Sequence, residues 1–233
     1  MNSGPPNDPC ILDISDPWAR ERAAAALEQG LVVAVPTDTV YGIAARIDRP
    51  EGIARLFGLK GRRREVAIAV LVGDEGQAAA MGLVSPAARR LAAAFWPGPL
   101  TIVVERPPTG AGGAGEPAAA DIGGDGRTIG LRVPNHSALL ALLAATGPLA
   151  TTSANRSGLP TPASVEGVAA VFGNGVAVYL DGGSSPGGPP STVVRDGGGA
   201  LIVLREGPIG AEALASVGKG HASDAPKMRP GSV

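Results

Sequence analysis

The sequence predicts an α/β fold, a single twisted, mixed sheet with helices flanking it. Three observations predict it. Aliphatic runs of strand length alternate with segments that carry helix start and stop signals. Towards the carboxy terminus two strands flank a Gly-rich turn, so they are expected to pair locally. The 233 residues are 44% hydrophobic, enough for one sizeable core, and no internal repeat or second domain breaks the pattern.

The elements follow in order. "SDPWARERAAAALEQG" offers Asp16 as N-cap, Pro17 at the first helical position and Gly30 as a stop. "LVVAV" (31–35) is an aliphatic strand, and "RPEGIARLFGLKG" a short helix ending near Gly58 or Gly61. "VAIAVLV" (66–72) is continuously apolar, as in a strand buried on both faces. "SPAARRLAAAFWPG" opens with Ser85–Pro86 and closes at Pro97, a helix, and "LTIVVE" (100–105) is the next strand. The run 106–127 is almost all Gly, Ala and Pro. It offers little apolar surface to bury and is expected to be a flexible insertion. Then come a strand (128–133), a helix (135–147), a strand running into a loop (148–155), the helix "SVEGVAAVFG" and the strand "VAVYL" (176–180). The glycine loop "LDGGSSPGGPPS" (180–191) precedes the paired strands and is read as a mobile lid or a plain surface linker between strands. One domain is expected over 14–210, followed by a disordered tail over 211–233.

Composition excludes several classes. The formal net charge of −1 gives no general attraction to nucleic acid or anionic membrane, so stable nucleic-acid binding is not expected. Only 3% of residues are aromatic, so alanine and aliphatic side chains must fill the core. Cys10 is the one cysteine, and a reducing compartment fits. The first residues show no signal-peptide pattern. No apolar run approaches the roughly 20 residues of a membrane span. A soluble, cytoplasmic protein with no membrane partner is expected. Two histidines, His136 at a helix start and His221 in the tail, argue against a His-based metal site or a Ser–His–Asp triad. There is no P-loop, and the formal GxGxxG at Gly110–Gly115 is followed by no amphipathic helix.

What remains is a set of strand ends rich in hydroxyls and cations. In "VPTDTVYG", Thr37, Thr39 and Tyr41 alternate after an aliphatic strand, so extended chain would place them on one side, although on this stretch alone a capped turn between Pro36 and Gly42 is the simpler reading. In "LKGRRR", Lys60 and Arg62 are two apart. Extended chain would aim both at one anion such as a di- or triphosphate, unless the stretch is a solvated basic loop. In "TIGLR", Thr128, Gly130 and Arg132 share a strand face, and a covered arginine there needs an anionic partner. Thr151, Ser153 and Asn155 alternate in "TTSANRSG", at a strand end or an Asx-turn. Ser191 and Arg205 fall on neighbouring predicted strands.

Together "VPTDTVYG", "KGR", "FWPGPLT", "TIGLRVP", "TTSANRSG", "DGG…PSTVV" and "LREG" resemble, in order and approximate spacing, the Sua5/YciO/YrdC family, from about Ala24 to Gly210. The resemblance implies a YrdC-like fold with a large, concave, positively charged cavity. It implies a threonylcarbamoyl-AMP synthase, a nucleotidyltransferase that uses L-threonine, bicarbonate or CO₂, and ATP, and releases diphosphate. The product would go to separate tRNA threonylcarbamoyltransferase machinery, which modifies the adenosine at position 37 of tRNAs reading codons that start with A.

By the same resemblance Thr39, Arg132, Thr151 and Ser191 would hold L-threonine. Arg62, Thr128, Ser153, Thr161 and Arg205 would hold ATP. Lys60 and Asn155 would complete the K-x-R and S-x-N pairs, with Lys60 and Arg62 stabilising charge during catalysis. Mg²⁺ is expected on the phosphates, with no dedicated protein metal site. The chain departs from the family's K-x-R-P-x-x-N-P-L: Arg63, Val66 and Ala67 stand at the Pro, Asn and Pro positions, and the Asn would normally contact ATP. The chain stops soon after "LREGPIG", which resembles the short bacterial type without an extra carboxy-terminal domain. Two other readings stay open, a paralogue acting on another carbamoyl adenylate and a non-catalytic RNA-binding module.

Overall fold

The computed structural model describes residues 9–82, 85–106, 121–196 and 201–218. Its helices begin where capping chemistry places them. Asp16 accepts the Trp18 N–H at the start of α1 (Pro17–Glu28), and Pro17 occupies the first turn, where a missing N–H does no harm. Asp74 caps α3 (Glu75–Met81), Ser85 caps α4 (Pro86–Phe95) and Ser164 caps α6 (Val165–Phe172) in the same way. His136 caps α5 (Ser137–Thr146) through Nδ1, which accepts the Leu139 N–H at 3.3 Å. α2 (Pro50–Lys60) ends at Gly61, whose φ of 60° is the left-handed turn that suits glycine.

The strands are β1 (Ile11–Asp13), β2 (Val33–Val35), β3 (Gly42–Arg46), β4 (Ala69–Leu71), β5 (Leu100–Glu105), β6 (Thr128–Arg132), β7 (Leu149–Ser153), β8 (Val178–Asp181), β9 (Thr192–Asp196) and β10 (Leu201–Arg205). Among the described residues they form one sheet in the order β1-β8-β2-β3-β7-β4-β6-β5-β9-β10. Parallel pairs (β1/β8, β2/β8, β4/β6, β5/β9) mix with antiparallel ones, as predicted. β9 and β10 pair antiparallel; the turn expected between them at 197–200 lies outside the described residues.

The helices divide unequally between the two faces. On one face Ala34, Ile43, Val70, Ile102, Leu131 and Val194 join α2, α3, α4, α6 and α7 (Ala211–Gly218) in the main core. On the other, Val33, Val35, Ala44, Leu149, Val178 and Leu180 lie beneath α1 and α5. Strands β5, β6 and β9 give nothing to this second cluster. Their side chains on that face, Thr101, Val103, Thr128, Gly130, Arg132 and Val193, line a cavity instead. The concavity is thus the part of a wide sheet that two helices cannot cover.

Several expectations need correction. The strand expected over 66–72 is reduced to β4, and Val66 is 53% exposed. The Arg62 side chain takes the Val66 and Ala67 carbonyls, which a strand would offer to its neighbour. The end of the segment 106–127, expected to be flexible, is fixed: Ile122 is 1% exposed in the main core, and Gly123, Gly124 and Gly126 form a turn at positive φ. One isoleucine anchors it, and an average over a Gly-rich run conceals that. Residues 107–120 of the expected insertion lie outside the described residues. The unit also extends beyond 14–210. β1 forms a sheet edge, and α7, expected within the tail, buries Leu214 at 2% exposure and packs on α4. Residues 219–233 lie outside the described residues. No helix among the described residues is long and apolar enough to cross a membrane.

Candidate active site

The uncovered part of the sheet forms a cavity of about 410 Å³. Its first wall is the turn between β2 and β3. β2 stops at Val35, and "PTDTVY" is a hydroxyl-stabilised turn rather than a strand end. Thr37 Oγ1 accepts the Thr39 and Val40 N–H groups at 3.1 and 3.2 Å and donates to the Val40 carbonyl at 2.7 Å. Thr39 Oγ1 lies 3.1 Å from Thr37 Oγ1, so these two hydroxyls do share a side. The Tyr41 hydroxyl is engaged elsewhere, donating to the Gly183 carbonyl at 2.7 Å and accepting the Gly182 N–H at 3.1 Å. These bonds, with one from the Ser185 N–H to the Ala163 carbonyl at 2.8 Å, tie down the first part of the 182–190 loop. Gly42 is the next requirement: a Cβ there would stand 2.7 Å from Thr151 Cγ2 across the β3/β7 pair.

Arg132 ends β6 at 6% exposure, and its expected anionic partner is Asp38. Nη2 donates to Asp38 Oδ1 at 2.6 Å, Nη1 to Thr39 Oγ1 at 3.1 Å and Nε to the Gly98 carbonyl at 3.0 Å. Burial pushes the guanidinium below its usual range, and the Asp38 carboxylate opposes that. Asp38 also accepts the Asn135 N–H at 3.1 Å, which fixes the start of the α5 approach to the same carboxylate.

Across the cavity Ser191 Oγ lies 2.8 Å from Thr101 Oγ1. Arg205, at the end of β10, donates from Nε and Nη2 to the Ser191 carbonyl at 3.1 and 2.8 Å and from Nη2 to Ser191 Oγ at 3.1 Å. Burial lowers the Arg205 pKa, and the charges of Arg132 and Arg62 lower it further. Thr151 and Ser153, alternate residues of β7, line the cavity along with Thr128, Gly130 and Arg62. Asp38 and Thr101 have no place among the sequence-derived binding residues. A lone threonine in the apolar run of β5 and an acid between two threonines were the available signals.

Lys60 and Arg62 do not project side by side, because the chain between them is not extended. Lys60 closes α2, Gly61 reverses the backbone, and the two side chains part. Lys60 Nζ donates to the Ser153 carbonyl (2.8 Å), Ser153 Oγ (3.2 Å), the Asn155 carbonyl (2.7 Å) and Asn155 Oδ1. It lines a second cavity of about 320 Å³ with Gly61, Arg62, Arg63, Val66 and Ser157; Arg62 and Val66 line both cavities. Burial, then the charge of Arg62, brings the Lys60 pKa down to about 8, so the ammonium predominates at neutral pH. Asn155 lines neither cavity. It holds Lys60 and also makes a local turn, donating from Nδ2 to the Arg156 and Leu159 carbonyls. Thr161 follows β7 on the way to α6 and lines neither cavity.

Three guanidiniums thus surround one cavity. None of the ion pairs among the described residues uses Arg62 or Arg205. Their charge, with donors converging from β6, β7 and the segment before β9, suits an anionic ligand with polar groups at more than one point.

The family model Sua5_yciO_yrdC, described as telomere recombination, matches residues 25–207. A Mycobacterium tuberculosis relative is 39% identical over 211 residues, covering 88% of this chain and 94% of its own length. The threonylcarbamoyl-AMP synthase of Bacillus subtilis is 33% identical over 88% of this chain, which spans 58% of that protein. The crystal structure of Pyrococcus abyssi Sua5 complexed with L-threonine superposes with a TM-score of 0.77 at 31% identity, over 90% of this chain and 60% of that one. Escherichia coli YciO shares the fold, with a TM-score of 0.73 at 22% identity over 88% of this chain and 97% of that one. The chain belongs to the Sua5/YciO/YrdC family.

Proposed function

We propose that this protein makes threonylcarbamoyl-AMP and diphosphate from L-threonine, bicarbonate or CO₂, and ATP. The observation that carries the reading is the cavity, ringed by Arg62, Arg132 and Arg205, in a chain 33% identical to a threonylcarbamoyl-AMP synthase. Arg132 takes the threonine carboxylate, with hydroxyls from Thr39, Thr151 and Ser191 around the amino acid. Arg62, Thr128, Ser153 and Arg205 take ATP, with Lys60 and Asn155 bracing Ser153 and Thr161 at the periphery.

The amine of threonine attacks CO₂, forming the N–C bond and losing a proton to give the carbamate. A carbamate oxygen then attacks the α-phosphorus, the bond from that phosphorus to the bridging oxygen breaks, and diphosphate leaves. Neither step needs a protein nucleophile. The chain's part is to orient the reactants and to meet the charge on the phosphates with Arg62, while Lys60 adds its positive charge from its seat on Ser153.

Mg²⁺ enters with the nucleotide. It would be carried on the phosphate oxygens and on water, as this ion usually is in nucleotide sites. The product passes to separate machinery that transfers its threonylcarbamoyl group to tRNA, in the cytoplasm where ATP and tRNA meet.

Diphosphate release with each substrate omitted in turn tests the proposal. Release should need ATP, L-threonine and bicarbonate together, without tRNA. Equal release without threonine would reject it in favour of another carbamoyl adenylate, a reading that Val66 at the family's Asn position favours.

A further inference from the structure

The loop 62–68 supplies Arg62 to the cavity, yet it contains no proline and no regular structure until β4 begins. Something else must fix it. The turn that ends the Gly-rich connection between β5 and β6 does so. The Gly124 N–H donates to the Arg64 carbonyl at 2.7 Å, and the Ile68 N–H donates to the Ile122 carbonyl at 2.8 Å. Between those two backbone bonds lie Val66 and Ala67. Their carbonyls are the ones that receive Arg62 Nε at 3.1 Å and Arg62 Nη2 at 2.7 Å. The turn is itself anchored, since Ile122 is 1% exposed in the main core. The fit is close: a Cβ on Gly123, at φ +80°, would lie 2.7 Å from the Arg64 carbonyl oxygen and 2.9 Å from Phe57 Cζ. The Arg64 guanidinium spans the junction, 2.6 Å from Asp121 Oδ2 and 4.8 Å from the centre of the Phe57 ring. That pair is largely exposed and contributes little by itself, so the backbone bonds and the Ile122 anchor carry the contact.

We infer that Ile122, Gly123 and Gly124 are positioning residues for Arg62: the turn holds the Val66 and Ala67 carbonyls, and these aim the guanidinium at the anion in the cavity. The nucleotide side of this inference rests on the reading of Arg62 as a phosphate ligand, and the mechanical side does not.

The test is Gly123→Ala, measured in two ways on the full chain. A side chain at that φ is strained, and its Cβ pushes on the Arg64 carbonyl, so the loop must move. Amide exchange at Ile68 and Gly124 should quicken. KM for ATP should rise about tenfold, the equivalent of roughly 1.4 kcal/mol, while KM for threonine stays within about twofold. A purely structural role would lower the melting temperature without separating the two KM values. If Gly123→Ala fails to fold, Ile122→Val trims the anchor by one methylene and should give the same pattern at smaller size. Unchanged exchange at Ile68, or equal shifts in the two KM values, would overturn the inference. Quickened exchange in a protein that bound no ATP would support the positioning turn and reject the nucleotide reading instead.

Discussion

Removing the Asp38 carboxylate should expose how much of the cavity depends on one buried charge pair. Asp38 and Arg132 meet at 2.6 Å with side chains 13% and 7% exposed. Deleting one member of a buried pair costs about 3–5 kcal/mol, because the other charge stays buried without its partner. In Asp38→Ala, Arg132 keeps the Gly98 carbonyl and Thr39 Oγ1, and it borders a cavity that water can enter. The loss should therefore lie near the lower limit, about 3 kcal/mol. Asp38→Asn retains an oxygen for Arg132 and for the Asn135 N–H but not the charge. About 1.5–2 kcal/mol is expected there, the size of a hydrogen bond to a charged group. Urea unfolding of the two variants beside wild type measures both values. In the folded variants KM for threonine should rise, since the guanidinium loses the contact that fixes one of its nitrogens. A loss below about 1 kcal/mol in Asp38→Ala would refute the argument, because Arg132 would then be compensated by something other than Asp38.

Other predictions follow from the same geometry. Thr39→Ala should raise KM for threonine by about 10- to 150-fold, corresponding to roughly 1.5–3 kcal/mol, with ATP affinity little changed; superimposable threonine titrations would remove Thr39 from the site. kcat/KM for ATP should fall as pH rises through about 8, as Lys60 loses the positive charge that it holds beside Ser153. For stability the sign is opposite. Between pH about 8 and the ordinary 10.5 the unfolded chain binds a proton that the folded one does not, so the Lys60 contribution grows with pH in that window and is lost as pH falls through about 8. A kcat/KM profile flat to pH 10 would contradict this. Gly42→Ala should destabilise by about 1–3 kcal/mol, since its Cβ overlaps Thr151 Cγ2, and pairing it with Thr151→Ser should restore most of the loss.

Elements were legible where local chemistry decides them. β5 occupies the expected 100–105, since an aliphatic run between Pro99 and a charged residue has little choice. The proline- or serine-started helices α1 and α4 likewise begin at their caps. β1 and β3 were not legible. β1 is three residues that become a strand only by lying beside β8, and "GIAAR" shows no alternation because both its faces are covered. α3, seven residues of mostly small side chains, lacks a pattern strong enough to read. The Lys60–Arg62 pair shows the limit most sharply. Two-residue spacing implies one side only in extended chain, and a helix end with a left-handed glycine between them sends one side chain to β7 and the other to the 66–67 backbone.

The sequence by itself determined the alternation of strands and helices, the family, and most of the hydroxyl and cationic residues that meet in the cavity, because each depends on residue type and local order along the chain. Only the tertiary structure decided that Asp38 neutralises Arg132, that Thr101 faces Ser191, and that Ile122 supports the Arg62 loop. These partners stand 94, 90 and 60 residues apart in the chain. Their meeting follows from strand order and from the two helices that leave part of one sheet face bare, and no local pattern encodes either.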